Sequence, residues 1–220
     1  TAFTHAVDSI RTAHVEARGY QNGVGLVKLM GHQSGYITAN ASIASQDVNF
    51  CLIPEIPIDL EGENGFYKHL LDRVQRKNHA VIVVAEGLGD RFCAMDEKDV
   101  SGNRKSGDIG VFLREGIAKY FKERKVPVSL KYIDPSYIIR SSCAIPSDSI
   151  FCNQLAQNAV HAGMAGKTGM LVGIWNNCFT HVPIDIAIRN RKFIDPESMF
   201  WLNVLESTGQ PRWMQNAPRV

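Results

Sequence analysis

The residues of this chain best placed for chemistry are polar groups that directly follow short apolar runs. Met30-Gly31-His32 closes the run from Val24, and Pro54-Glu55 closes Phe50–Ile53. Glu86-Gly87 closes Ala80–Ala85, and a turn from Asp134 to Arg140 follows Val128–Tyr132. Three of these four segments carry charged groups, with both signs among them, which suits a ligand bearing both hydroxyls and a phosphate. An ionised carboxylate accepts hydroxyl hydrogen bonds strongly, and a guanidinium gives a forked pair to a phosphate. Strand ends are also polar simply because they meet water, and the pattern alone leaves both readings open. On the plain reading Met30 is core, Glu86 caps a helix, Tyr137 is half-buried packing and Arg140 is a solvated charge. Lys28 lies mid-strand, as a charge standing behind a site or as an edge residue, and stays unassigned.

The elements that must position these groups are short and alternate in type. Phe3, Ala6, Val7, Ile10, Ala13 and Ala17 have helical spacing from the first residues onward. The runs Val24–Met30, Phe50–Ile53, Ala80–Ala85, Val128–Tyr132 and Met170–Ile174 read as strands. Helices are expected at Ile37–Ser45, at Gly65–Lys77, after a capping Asp108, after Ser147 or Asp148, and at Pro196–Thr208. Gly89 to Gly107 reads as a polar loop. Buried strands alternating with helices predict an α/β fold, a parallel sheet in a three-layer sandwich. In such sheets ligands bind beyond the carboxyl ends of the strands, where the polar groups named above fall.

Composition narrows the class of partner. Lys+Arg 24 against Asp+Glu 22 leaves +2, too small a charge to point to nucleic acid or an acidic membrane. No apolar run reaches the roughly eighteen residues of a membrane span. Cys51, Cys93, Cys143, Cys152 and Cys178 form no CxxC pair and read as free thiols of a reducing, cytoplasmic setting. The histidines are scattered without an HExxH or Cys/His cluster, so no metal held by this chain is expected. His161, on a mostly apolar helix, reads as a core histidine. With no initiator Met and a helix beginning at once, the chain reads as a piece of a longer protein.

The stretches GVGLVKLMGHQSGYI, CLIPEIPIDLEG, VIVVAEG with DVSGNRKSGDIG, KYIDPSYIIR and SDSIFCNQLAQNAVHAGMAGKTG resemble the 6-phosphofructokinase family. Their order and spacing extend the resemblance over nearly the whole chain, and MFWLNVLESTGQP resembles the plant-type, ATP-dependent branch. The resemblance implies the C-terminal portion of an enzyme that phosphorylates fructose 6-phosphate in glycolysis, with Mg2+ and ATP as partners. Residues 1–139 would be the fructose-6-phosphate-binding domain, 140–195 a returning, incomplete part of the nucleotide-binding domain, and 196–220 a C-terminal helix and tail. Met30 and Gly31 would line the sugar pocket, Glu86 would accept sugar hydroxyls, and Tyr137 and Arg140 would bind the 6-phosphate. Lys131 stands where bacterial members place an arginine that reaches that phosphate across a subunit boundary, which implies a dimer or tetramer.

Two departures bear on catalysis. The family's Met-Gly-Arg is here Met30-Gly31-His32. Histidine is shorter, lacks the fork, and is mostly neutral at pH 7 with an ordinary pKa of ~6.5. Losing one preorganised donor to a transferring group costs about 3 to 4 kcal/mol, so His32 marks a slow enzyme, a changed mechanism or a regulatory copy. The GGDGT nucleotide segment and the TID segment with its aspartate base do not occur in these 220 residues. The resemblance therefore implies sugar-phosphate binding without transfer by the chain alone, with no cofactor held by its own residues. A non-catalytic sugar-phosphate-binding subunit and a pyrophosphate-dependent homologue are the alternatives. It further implies that the helix after Asp148 and the strand at Met170 lack sheet partners.

Overall fold

The first helix follows the apolar spacing of its sequence: α1 (Ala2–Arg18) buries Ala6, Val7, Ile10, Ala13 and Ala17, whereas Phe3 stays exposed. A computed structural model describes residues 1–31, 34–98, 104–189 and 192–216, with backbone alone for 94–98 and 104–106. After α1 come β1 (Gly23–Leu29), α2 (Tyr36–Ser45), β2 (Phe50–Leu52), α3 (Phe66–Lys77) and β3 (His79–Ala85). A single 3-10 turn at Glu86–Leu88 leads into α4 (Gly89–Phe92), β4 (Ala94–Lys98) and β5 (Arg104–Ser106). Then follow α5 (Ile109–Glu123), β6 (Ser129–Ile133), α6 (Ser136–Ser141), α7 (Pro146–Met164), β7 (Met170–Trp175), β8 (Cys178–Pro183), α8 (Ile184–Ala187) and α9 (Met199–Thr208).

The chain divides into two compact units, one of residues 2–141 with 193–220 and one of residue 1 with 142–192. In the larger unit, β2, β3, β1 and β6 form one parallel sheet in that order. Alternation along the strands sends side chains to two separate cores. Val24, Leu26, Ile82 and Val84 pack with α3 and α5, and Val27, Leu29, Val81 and Val83 pack with α1, α2 and α9. The result is the expected three-layer α/β/α sandwich. Gly25 lets α1 approach β1 closely, since a Cβ there would lie 2.8 Å from the Ala13 carbonyl oxygen.

Four local expectations need correction. The segment Gly89–Gly107 is not a plain polar loop but holds α4 and the antiparallel pair β4–β5. Helix α7 opens on Ile145 with Pro146 in its first turn, where proline's missing N–H costs nothing, instead of on a Ser147 or Asp148 cap. Within the smaller unit, β7 does have a partner: it pairs antiparallel with β8 through Asn176-Asn177, whose φ values of 46° and 61° suit a tight hairpin. Helix α7 buries only Ala162, so its apolar stripe is largely exposed and His161 is a surface residue.

The outer edge of β2 is closed by a side chain. Buried Gln210, just past α9, accepts the Cys51 N–H at 2.6 Å and donates to the Cys51 carbonyl at 3.4 Å. It satisfies backbone groups that an edge strand otherwise leaves open to pairing. Gln210→Ala is expected to lower unfolding free energy by about 1–3 kcal/mol, the usual cost of orphaning a buried polar partner. A urea midpoint equal to that of the parent chain would contradict this.

Candidate functional site at the carboxyl edge of the sheet

Parallel pairing brings three strand exits together. Leu29 sits opposite Ala85, so Met30-Gly31 leaves β1 level with Glu86 leaving β3. The Gly87 N–H donates to the Gly31 carbonyl at 3.2 Å and ties the two exits. On the other flank Val27 pairs with Ile133, so the turn from Asp134 into α6 rises beside the same place. Glu86 and the α6 turn thus flank β1, two strand spacings or about 10 Å apart.

Each expected site residue has a defined setting. Gly31 has φ 140°, a conformation that favours glycine, and a Cβ there would lie 2.5 Å from the Ser34 carbonyl oxygen. Met30 is partly buried and packs against the core on the α1 face. Glu86 is exposed, while Gly87 beside it is buried. Tyr137 is 73% exposed, and the Arg140 guanidinium lies over its ring at 4.2 Å, a pairing of positions three apart on α6. Buried Ile139 anchors α6 between them. Lys131 is not gathered into this group: its ammonium is 3.9 Å from the Glu16 carboxylate and 5.2 Å from the Tyr20 ring, at the tail of α1. His32 lies outside the described residues.

Glu55, one of the strand-end acids, is committed to structure. Its carboxylate accepts the Gly35 N–H at 3.0 Å, at the start of α2, and the Ile194 N–H at 3.4 Å. It borders a cleft of about 430 Å³ with Pro54 and residues 193–196. At the opposite, amino edge of the sheet a basic cleft of about 290 Å³ is lined by His14, Arg18, Tyr20, Lys77, Asn78 and His79. It offers cations without a carboxylate for sugar hydroxyls.

Sequence reasoning left out an ionic cluster directly behind the site. Lys28 Nζ lies 2.8 Å from Asp108 Oδ2 and 2.8 Å from Asp134 Oδ2. Asp108 also caps α5 through the Gly110 and Val111 N–H groups and accepts the Tyr132 hydroxyl at 2.9 Å. Asp134 accepts the Ser136 N–H at 3.0 Å, opening α6. Burial works against the Lys28 ammonium, yet its bonds to Asp108 and Asp134 outweigh this and raise its pKa above the ordinary lysine value. Burial likewise disfavours both ionised carboxylates, but Lys28 leads the hydrogen bonds that hold each below the usual range. The one sequence signal for the cluster was a lysine in an otherwise apolar strand.

Among the described residues no group of three His, Cys, Asp or Glu side chains is placed to hold a metal ion, and no helix is long and apolar enough to cross a membrane. A parallel sheet covered on both faces defines an α/β three-layer domain, a class whose ligands sit beyond the carboxyl ends of the strands. A family profile described as Phosphofructokinase matches residues 1–163, and the chain belongs to that family. It is 49% identical to the ATP-dependent 6-phosphofructokinase of Borreliella burgdorferi, over 98% of this chain and 50% of that protein. It is 47% identical to the chloroplastic ATP-dependent 6-phosphofructokinase 5 of Arabidopsis thaliana, over 96% of this chain and 40% of that protein. The chain thus spans about half the length of the curated relatives it matches. The crystal structure of a pyrophosphate-dependent phosphofructokinase from Marinobacter aquaeolei superposes with a TM-score of 0.65 at 14% identity, covering 94% of this chain and 53% of that one. That likeness concerns the fold.

The depressed carboxylates give a pH dependence. Their folded pKa values lie below the unfolded value of about 3.9, so the stability they contribute is complete above that pH and disappears as pH falls through the folded values. Asp108→Asn keeps a capping side chain but removes the charge. It is expected to lower stability at pH 7 and to flatten the acid limb of the stability curve below about pH 4. Urea midpoints between pH 3 and 7 check this, and parallel curves for variant and parent would contradict it.

Proposed function

We propose that this chain supplies the fructose 6-phosphate site of an ATP-dependent 6-phosphofructokinase of glycolysis. The observation that carries the reading is the arrival of Gly31, Glu86 and the Tyr137–Arg140 helix at three adjacent strand exits. Gly31 lets backbone approach the sugar, with Met30 shaping the pocket wall. Glu86 accepts hydrogen bonds from sugar hydroxyls, and Arg140, steadied over Tyr137, binds the 6-phosphate with two parallel bonds. Among described carboxylates none pairs with Arg140 in an ion pair, which leaves its fork available to an anion.

In the reaction the sugar's 1-hydroxyl oxygen attacks the terminal phosphorus of ATP, the bond to ADP breaks, and the hydroxyl proton goes to a base. Positioning and charge neutralisation dominate such transfers. The reading assigns the base, the phosphate cradle and the Mg2+ ligands to residues outside this chain, since the GGDGT and TID segments do not occur in its sequence. ATP, in preference to pyrophosphate, rests on relatives such as those of Borreliella burgdorferi and Arabidopsis thaliana, both named ATP-dependent. The reading assigns residues 1–139 to the sugar-phosphate domain, 140–195 to the returning part of the nucleotide domain, and 196–220 to the terminal helix and tail.

Lys131, facing outward with Glu16 and Tyr20, is assigned to a neighbouring subunit's sugar phosphate, which makes the assembly a homo-oligomer, a dimer or tetramer. The free thiols of Cys51, Cys93, Cys143, Cys152 and Cys178 suit a reducing compartment such as the cytoplasm. His32, in place of an arginine, favours a second reading in which the assembled protein binds the sugar phosphate but turns it over slowly or not at all.

Calorimetric titration of fructose 6-phosphate tests the reading. Arg140→Ala is expected to weaken binding about 10- to 150-fold, the loss of a charge-assisted pair, and Glu86→Gln to weaken it less. Equal affinities for parent and Arg140→Ala would contradict it. In the protein with its remaining half restored, a His32→Arg substitution that raises turnover without changing sugar affinity would favour the second reading.

A further inference from the structure

We propose that Lys28 is a positioning residue for the sugar-phosphate subsite, tying the carboxylate that opens α5 to the carboxylate that opens α6. This rests on the reading of Arg140 as the 6-phosphate ligand. Lys28 is the penultimate residue of β1, the inner strand hydrogen-bonded to both β3 and β6, and its side chain is only 12% exposed. Such a site is costly for an ammonium unless it is paired. It is paired twice, at 2.8 Å to each carboxylate, and uses two of its three donors.

The partners explain what the clamp holds. Asp134 Oδ1 is occupied by the Ser136 N–H and by the Ser136 hydroxyl at 2.5 Å, which fixes the first turn of α6. Its Oδ2 is left for Lys28. Asp108 Oδ1 is occupied by the first N–H groups of α5 and by Tyr132, and its Oδ2 likewise faces Lys28. Both carboxylates lie within 2.8 Å of one nitrogen, so without that cation they would stand close together and repel. The cheapest relief is a shift of α6, a helix of six residues that carries Tyr137 and Arg140. Among the described residues Lys28 makes no hydrogen bond, ion pair or ring contact with those side chains, so its effect on the ligand passes through the helix.

A double-mutant cycle on the chain tests this, using Lys28→Met and Arg140→Ala singly and together, titrated with fructose 6-phosphate. The folded fraction is followed by circular dichroism. Residues acting through one another couple, and independent ones add. Lys28→Met is expected to weaken binding by about tenfold beside Arg140 and by less than about twofold in the Arg140→Ala background. Lys28→Arg, which keeps a cation in reach of both carboxylates, is expected to recover most of the loss. An equal loss in both backgrounds, or no loss in folded protein, overturns the proposal. If Arg140→Ala alone leaves affinity unchanged, the sugar-phosphate reading itself is overturned, an outcome distinct from failure of the Lys28 link. Should Lys28→Met not fold, Asp134→Asn takes its place, with a smaller loss that again depends on Arg140; an Arg140-independent loss overturns the proposal.

Discussion

Hydrogen bonding on both sides of β1 is the constraint on which the larger unit depends. β1 pairs in parallel with β3 through its whole length and with β6 through most of it. Parallel pairing requires each chain to leave the sheet at the same edge and return over a face. With Leu29 opposite Ala85 and Val27 opposite Ile133, strand register gathers the residues after β1, β3 and β6. A slip of one residue would exchange the two cores and scatter the gathered groups. The apolar side chains that fill both cores therefore also hold the site.

Charge is handled differently behind the site and on it. Behind it, Lys28 bridges Asp108 and Asp134, the carboxylates that close the amino ends of α5 and α6. On it, Glu86 and Arg140 are exposed, Arg140 lies over the Tyr137 ring, and among the described residues neither makes an ion pair. An ion-paired layer beneath exposed charges is the arrangement that the proposed sugar-phosphate site would need to act by fixed geometry. The smaller unit has another character. Its Met164 is 85% and its Trp175 72% exposed, and α7 buries one residue. Apolar surface of that extent is normally covered.

The strands, the sheet direction and the three-layer class were legible because buried parallel strands are short continuous apolar runs, as in Ala80–Ala85. Glu86, Gly31 and Arg140 were legible as strand-end residues, and family resemblance gave them roles. The β4–β5 pair escaped because its strands lack an apolar alternation. The β7–β8 hairpin escaped because Asn176-Asn177 is a turn signal easily passed over beside Gly and Pro. The Lys28 cluster escaped for a deeper reason: Lys28, Asp108 and Asp134 are far apart in sequence, and it takes both the register of β1 beside β6 and the packing of α5 on the sheet to bring them together. The exposure of His161 was hidden because apolar spacing on α7 looks the same whether or not its stripe is covered.

Whether one sugar phosphate is gripped at this edge is decided most directly by a crystal structure of the chain with fructose 6-phosphate. The account predicts the phosphate against the Arg140 guanidinium and a sugar hydroxyl against the Glu86 carboxylate of the same molecule. A ligand seated in the basic cleft of His14, Arg18 and Lys77 at the other end of the strands, with the Arg140 edge bare, would contradict it.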